Sequence, residues 1–426
     1  MIDRQSSPSE TILASLPRRR RAEARFRIYG IAAIGIALAF LILLISAIGT
    51  QGIGAISQTE IALDVTLDES VLGLSDARDR ETLSKANYRA VIRAALGDVF
   101  PEAVSARRDR RALMKLVSVG AGFELRNLVL EDPGLVGGTM RVWVPADDEV
   151  DMLMKGATAR DSGRFSDKQL GWLDQLEEEG RIRSAFNWRF FTSGDSREPE
   201  LAGILGAIAG SFFALITCLV LSFPLGVMTA IYLEEFAPRN RWTDLIEINI
   251  NNLAAVPSIV FGLLGLAIFL GFMGLTRSAP LVGGMVLALM TLPTVIIATR
   301  ASLRAVPPSI REAAIGLGAS RMQAMLHHTL PLAMPGIMTG TIIGMAQALG
   351  ESAPLIMIGM VAFIVDMPQG LLDPASALPV QIYIWADSPE RAFAEKTAAA
   401  IIVLLAFLII MNLTAVILRR RFERRW

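Results

Sequence analysis

The sequence predicts an all-α polytopic membrane protein with six transmembrane helices and one inserted small α/β domain. The 426 residues are 53% apolar and only 19% charged, and the net charge of zero gives no general attraction to nucleic acid. The apolar residues are concentrated in six stretches without charge, each with the roughly 20 residues needed to cross about 30 Å of hydrocarbon. These stretches are 28–59, 201–233, 248–276, 278–299, 329–350 and 397–418.

The first elements are a basic tail over 1–27 and a transmembrane helix over 28–50. We interpret this helix as an uncleaved signal anchor, because the apolar run is long and no A-x-A cleavage site follows it promptly. Arginines cluster in the first tail, in a second basic tail over 419–426, and in the loops after the second and fourth apolar stretches. The positive-inside rule therefore places both termini and these two loops in the cytoplasm.

The next element is a polar insert over 51–200, which is long enough to be a domain and lies in the periplasm by this topology. Alternating apolar residues predict strands at 61–67, 140–144 and 186–191. Amphipathic segments between them predict helices, and Ser166 with Gln169 is a capping box that would begin one of these. The insert shows no cluster of metal ligands, no nucleophile elbow and no phosphate loop, so we assign it no chemistry.

The remaining core, over 201–418, is predicted to hold five transmembrane helices and one helix pair on the cytoplasmic surface. The pair lies in REAAIGLGASRMQAMLHHTLP (311–331), between the fourth and fifth apolar stretches. Two capping-box patterns would begin its helices, Ser309 with Glu312 and Ser320 with Gln323.

Glycines separate the two helices of this pair, at Gly316 and Gly318. Before them, Ile310, Ala314 and Leu317 share one face at i, i+4, i+7 spacing. The pattern predicts a helix, a bend and a second helix, shaped to fit a groove in another protein.

The same segment resembles the EAA motif of ABC importer permeases, E-A-A-x3-G followed by L-P. His328 stands where the family has isoleucine, and six other positions match: Glu312, Ala313, Ala314, Gly318, Leu330 and Pro331. The resemblance implies the ABC type I importer permease fold, with a coupling helix at 309–331 docked in a cleft of a cytoplasmic ATPase. The chain has no G-x-x-x-x-G-K-[ST], so ATP is expected on that partner, and we expect no cofactor and no enzyme activity from this chain alone.

A second sequence motif indicates which substrate is transported. ALGESAPLIMIG (348–359) resembles a G-E-[ST]-A-P-L segment of the A-type permeases (PstA) of phosphate-specific importers, and 203–212 and 256–266 resemble spans of that family. The resemblance covers 201–418, and 51–200 resembles the extra domain of longer members. It implies an inorganic phosphate importer of the bacterial inner membrane. The other parts would be a second permease (PstC-like), two copies of an ATPase (PstB-like) and a periplasmic phosphate-binding protein (PstS-like).

Glu351 is a candidate residue of the substrate path, because an ionisable group at membrane depth costs about 2.5–3.5 kcal/mol and should face the bundle interior or water. Protonated phosphate species carry P–OH donors that a carboxylate can accept, whereas fully ionised sulfate has none. The alternative for Glu351 is a helix-packing ion pair with Arg300. Many relatives carry an arginine where this chain has Gln347, so a basic contact to phosphate is not carried over to that position. Polar residues that could line the same path are Gln347, Ser352, Ser258, Thr291 and Thr294.

Two other functions are weighed against phosphate import. A permease for another oxyanion or small solute would share the same architecture. A membrane sensor with a periplasmic domain would need a cytoplasmic output domain, whereas the longest loop after the second stretch, 299–333, holds the EAA-like segment.

Overall fold

A computed structural model of the chain describes residues 8–73, 79–361 and 363–422. The chain divides into two compact units, Met1–Gln51 and Gly52–Trp426. The described residues of the first unit belong to one long helix, α1 (Pro8–Ile53), which holds most of a candidate membrane span over Arg19–Ile56. The predicted basic tail is therefore helical from residue 8, because its alanine, leucine and arginine are good helix formers. Residues 1–7 and 423–426, which belong to the two predicted tails, lie outside the described part.

A three-stranded antiparallel sheet follows α1. Its strands are β1 (Ser57–Thr66), β2 (Thr139–Pro145) and β3 (Ile182–Phe186), in the order β2-β1-β3. Ile61 in the central strand is opposite Val144 on one side and Ile182 on the other. The alternating apolar residues of β1 point into the core of this segment, as the period of two predicts.

The predicted strand over 186–191 is wrong beyond its first residue. The Asn187 side chain accepts a hydrogen bond from the Phe190 amide at 3.2 Å and caps a helix that begins at Trp188. Alternation of aromatic residues could not reveal this, because Phe190 is buried while Trp188 and Phe186 are exposed.

Short helices surround the sheet and complete its hydrophobic core. The predicted capping box of Ser166 and Gln169 is confirmed at the start of α9. In chain order these helices are α2 (Glu69–Leu72), α3 (Arg80–Lys85), α4 (Tyr88–Val99), α5 (Pro101–Val104), α6 (Arg107–Met114), α7 (Ala121–Glu131), α8 (Asp148–Met154), α9 (Asp167–Glu178) and α10 (Trp188–Thr192).

The rest of the described chain is mostly helical. Including α1, five helices of the described residues are long and apolar enough to cross a membrane, and a bent pair provides a sixth if it counts as one span. π-Helical turns at Tyr232–Phe236, Leu266–Phe272 and Met325–Thr329 continue three of the helices. The helices after the sheet are α11 (Leu205–Ile231), α12 (Arg241–Ala254), α13 (Ser258–Gly265), α14 (Pro280–Arg304), α15 (Pro308–Gly316), α16 (Arg321–Ala324), α17 (Leu330–Gly350), α18 (Ala353–Met357), α19 (Leu378–Ala386) and α20 (Ala392–Phe422).

The third predicted span, over 248–276, is not one helix. Its first residues belong to α12, which meets α13 and the following π-helical turn at an angle of 103°. Pro257 causes the break, because proline has no amide hydrogen to donate and disfavours helical backbone in the residue before it. No residue of α12 is buried in the chain, so only the part after Pro257 packs within the bundle.

Glycines let the spans of the core approach each other closely. A side-chain Cβ at Gly284 of α14 would overlap Thr217 on α11, and one at Gly340 of α17 would overlap Ala298 on α14. Helices in membranes associate mainly by close packing, which small residues permit. α14 is therefore held between α11 and α17, and its C-terminal end positions the helix pair that follows.

Candidate functional site

The segment that resembles the EAA motif forms a bent helix pair, which we call the elbow (residues 308–324). Its arms are α15 and α16, and a π-helical turn leads from it directly into α17. The predicted order of helix, bend and helix is therefore present. Leu330 and Pro331, the last residues of the motif, form the first turn of α17.

The bend depends on the backbone of Gly318. Its φ of 94° lies in the left-handed region that favours glycine. The Gly318 amide donates to the Ile315 carbonyl at 2.9 Å, and the Ala319 amide donates to the Ala314 carbonyl at 3.1 Å. These two bonds form a Schellman motif that ends α15. The second arm begins with the capping box of Ser320 and Gln323, which is confirmed.

The first predicted capping box is wrong. α15 begins at Pro308, and neither Ser309 nor Glu312 makes the side-chain bonds of a box. Proline is favoured in a first helical turn because its missing amide hydrogen would have no partner there. Glu312 is exposed, and it makes no hydrogen bond or ion pair within the described residues. Its carboxylate is therefore free for a partner.

The elbow presents an apolar surface to its surroundings. Leu317 is 90% exposed, and Ile315 and Met322 are also exposed. The predicted shared face of Ile310, Ala314 and Leu317 is therefore wrong in its last member. Ala314 is buried, but the helix ends before Leu317, and the Schellman turn directs that side chain outward.

The EAA motif positions thus divide into two groups. Glu312 and Ala313 are exposed, whereas Ala314 packs inward. Leu330 packs beside a buried cluster that includes Leu303 at the end of α14. The exposed group lies on the surface of the described chain, and the buried group attaches the elbow to the spans.

The predicted path residues lie around the C-terminal end of α17. Glu351 and Ser352 occupy the break between α17 and α18, not the middle of a span, and both are partly buried. Glu351 makes no side-chain hydrogen bond or ion pair with any described residue. Arg300 bonds Glu247 at 2.6 Å and Glu234 at 3.4 Å, so the alternative ion pair with Glu351 is wrong.

The other predicted path residues are only partly brought together. α18 packs on α13, because Pro354 lies against Gly262, one helical turn after Ser258. Thr291 is buried, and its hydroxyl contacts the Leu287 carbonyl and the Cys218 thiol, so it serves helix packing here. Two further residues complete the set: Thr294 lies near Gly344 on α17, and Gln347 is exposed.

A cluster of buried charges joins the α/β segment to the spans, and the sequence analysis missed it. Lys155 of α8 bonds Asp151 at 2.5 Å and Glu395 of α20 at 3.4 Å, and all three side chains are largely buried. Gly54 leaves the space that the Glu395 carboxylate occupies. The signal in the sequence is a Glu-Lys pair directly before the last apolar stretch, where charge is costly unless paired.

Glu200, just before α11, belongs to the same junction. It accepts a hydrogen bond from the Ser118 hydroxyl, and its backbone carbonyl accepts one from the Gln58 side chain at 2.9 Å. Burial raises the pKa of Glu200 to about 7. Burial, and then the neighbouring Asp148 carboxylate, raise the pKa of Asp147 to about 7 as well.

The raised pKa of Glu200 predicts a pH-dependent stability. The folded state holds the proton up to about pH 7, whereas the unfolded carboxyl loses it near its ordinary pKa of 4.5. Stability is therefore fully present below pH 4.5 and is lost as the pH rises through 7, at about 1.4 kcal/mol per pKa unit. We expect the melting temperature of the purified protein to fall from pH 5 to pH 8, and Glu200→Gln to reduce that fall. Exposed Glu102→Gln is the control, and an unchanged slope in Glu200→Gln would contradict the assignment.

Two family models match the chain. Residues 222–426 match the binding-protein-dependent transport system inner membrane component, and residues 13–164 match a domain of unknown function (DUF3333). The second match covers most of α1 and most of the α/β segment.

Individual relatives agree with the first match. The chain is 32% identical over 240 residues to the phosphate transport system permease protein PstA 1 of Mycobacterium tuberculosis (strain CDC 1551 / Oshkosh), covering 56% of this chain and 77% of that one. It is 29% identical over 247 residues to the probable ABC transporter permease protein YqgI of Bacillus subtilis (strain 168), covering 54% and 83%. A solved structure of the MetNI methionine ABC transporter, in an inward-facing conformation, matches with a TM-score of 0.41 and 18% identity, covering 52% and 95%.

Proposed function

Because the chain belongs to the family of ABC importer permeases that resemble PstA, we propose that it forms half of the translocation path of an ATP-driven importer of inorganic phosphate. The ATP is hydrolysed by the partner ATPase and not by this chain. The other partners would be a second permease and a periplasmic phosphate-binding protein. The choice of phosphate as the solute is supported by the names of relatives whose alignments cover more than half of this chain.

The observation that carries the proposal is the exposed elbow. Glu312 and Ala313 face outward beside the apolar Leu317, while Ala314 and Leu330 attach the same element to the spans. A rigid bent surface of this kind fits a groove in a second protein. Movement of that protein would reach α14 and α17 directly, because the elbow is continuous with both helices.

The orientation follows from the number of spans. Three spans separate the α/β segment from the elbow if the bent pair α12–α13 counts as one, so the two elements lie on opposite sides of the membrane. If the elbow contacts a cytoplasmic ATPase, the α/β segment lies in the periplasm. A total of six spans then places both termini in the cytoplasm. The arginines beside the elbow are in accord with this orientation.

Reconstitution tests the function. The chain would be assembled with the second permease, the ATPase and the phosphate-binding protein in proteoliposomes, and ATP turnover would be measured with phosphate, sulfate or no solute. Stimulation by phosphate together with phosphate uptake is the expected result. Stimulation by a different oxyanion or small solute would show that the complex imports that solute and not phosphate. Failure of the chain to bind the ATPase would refute the proposed function.

Glu351→Gln tests the path in the same assay. The partly buried carboxylate has no partner within the described residues, so it is free to accept a P–OH hydrogen bond. The amide keeps the shape but is a weaker acceptor, and we expect the preference for phosphate over sulfate to fall by about tenfold, the effect of one charge-assisted bond. Asp387→Asn, at an exposed position, is the control. Unchanged selectivity in Glu351→Gln would remove this residue from the path.

A further inference from the structure

Two adjacent carboxylates end the second span. Glu234 and Glu235 lie in the π-helical turn Tyr232–Phe236 that continues α11. Glu234 bonds Arg304 at 2.8 Å and Arg300 at 3.4 Å, both on the last turns of α14. Arg300 also reaches Glu247 of α12, so Glu234 fixes the end of α11 to α14 and, through Arg300, to α12.

The second carboxylate faces the elbow. Glu235 forms an ion pair with Arg311, which lies on α15 directly before Glu312. The Glu235 side chain is only 9% exposed. Together the three carboxylates and three arginines balance in charge: Glu234, Glu235, Glu247, Arg300, Arg304 and Arg311.

The connectivity of the chain gives this pair a particular importance. The elbow follows α14 and precedes α17 in the sequence, so both helices must follow its movement. α11 has no such covalent link to the elbow. Separating Arg311 from Glu235 would leave a buried carboxylate without its partner, which is strongly unfavourable. The ion pair therefore holds α11 to the elbow when the elbow moves.

We propose that Glu235 and Arg311 are positioning residues of transport, and that their ion pair transmits movement of the ATPase-bound elbow to α11. Glu234, paired with Arg304 and Arg300, keeps the end of α11 attached to α14 during this movement. The proposal rests on the proposed function, because it requires an ATPase on the elbow, but it does not depend on which solute is carried.

The test uses the assembled complex and a probe that needs no solute. Met228 on α11 is 58% exposed, and Cys218 is the only cysteine, so Met228→Cys in a Cys218→Ala background gives one site for a nitroxide label. The spectrum would be recorded without nucleotide and with trapped ATP. It would be compared for the parent, Glu235→Gln, Arg311→Gln and the charge-swapped double variant Glu235→Arg/Arg311→Glu. Arg239→Gln, an exposed arginine outside the network, is the control.

We expect the nucleotide-dependent change in the label to be lost in both single variants and restored in the charge swap. Solute transported per ATP should fall by at least about fivefold in both single variants. Glu235 lies outside the elbow, so Glu235→Gln should keep ATPase binding and basal turnover. The proposal is overturned if the single variants keep the change, if the swap does not restore it, or if Glu235→Gln loses the ATPase altogether. Failure of phosphate to stimulate the parent complex would count only against the proposed substrate.

Discussion

Replacing Gly318 by valine is expected to uncouple ATP turnover from uptake. The φ of 94° at this position is a conformation that a β-branched residue rarely adopts. Valine would cost about 1–2 kcal/mol in the left-handed region, and the bend can relieve that strain only by changing the angle between α15 and α16. A strain of this size changes the population of the correct geometry by roughly five- to thirtyfold. Uptake per ATP hydrolysed should fall accordingly in proteoliposomes, while the chain still reaches the membrane and still binds the ATPase.

Gly316→Ala is the matched control, two residues away. Gly316 is helical, and a Cβ there would meet no other atom within 4 Å. Alanine should stabilise α15 slightly, since glycine costs about 1 kcal/mol inside a helix. Normal coupling in the Gly318 variant, or equal loss in both variants, would show that the bend does not determine coupling.

Leu317→Asp is expected to remove the ATPase from the complex. Leu317 is 90% exposed at the tip of the elbow, and Ile315 and Met322 of the same element are exposed as well, so the elbow offers an apolar surface of the kind that marks an interaction site. A charge placed in an apolar hot spot costs about 2–4 kcal/mol, which corresponds to a roughly 30- to 1,000-fold loss of affinity. The measurement is co-purification of the ATPase, followed by titration of the ATPase onto immobilised permease.

Leu372→Asp provides the comparison for this variant. Leu372 is 58% exposed in the segment before α19, on the side of the membrane opposite the elbow in the proposed orientation. It receives the same charge without touching the proposed interface. If the Leu317 variant retains the ATPase, the ATPase binds another surface, and the proposed role of the elbow is refuted.

Local signals in the sequence predict the spans and the elbow well. Apolar stretches long enough to cross a bilayer locate the helices, and the glycine and capping residues around Gly318 and Ser320 locate the bend. The errors are also local. At Asn187 and Pro257, single residues decide where a helix begins or ends, and the apolar patterns around them carry no trace of that decision.

Contacts between distant residues could not be predicted in this way. Nothing near Glu235 in the sequence indicates Arg311 as its partner, and Lys155 and Glu395 are separated by most of the permease core. Such pairs depend on how the helices cross. Leu317 shows a similar limit, because helical periodicity placed it on one face with Ala314, whereas α15 ends at Gly316 and leaves Leu317 exposed while Ala314 is buried.

The contacts between the α/β segment and the spans limit how the domains of this protein could be deleted or exchanged. Lys155 needs Glu395 on the last helix, that carboxylate needs the space left by Gly54, and Ser118 needs Glu200. Deleting the α/β segment would leave Glu395 and Glu200 without their partners at the edge of the bundle. Grafting the segment onto a shorter homologue would require the same carboxylates in that homologue, so the segment and the spans have to be kept together.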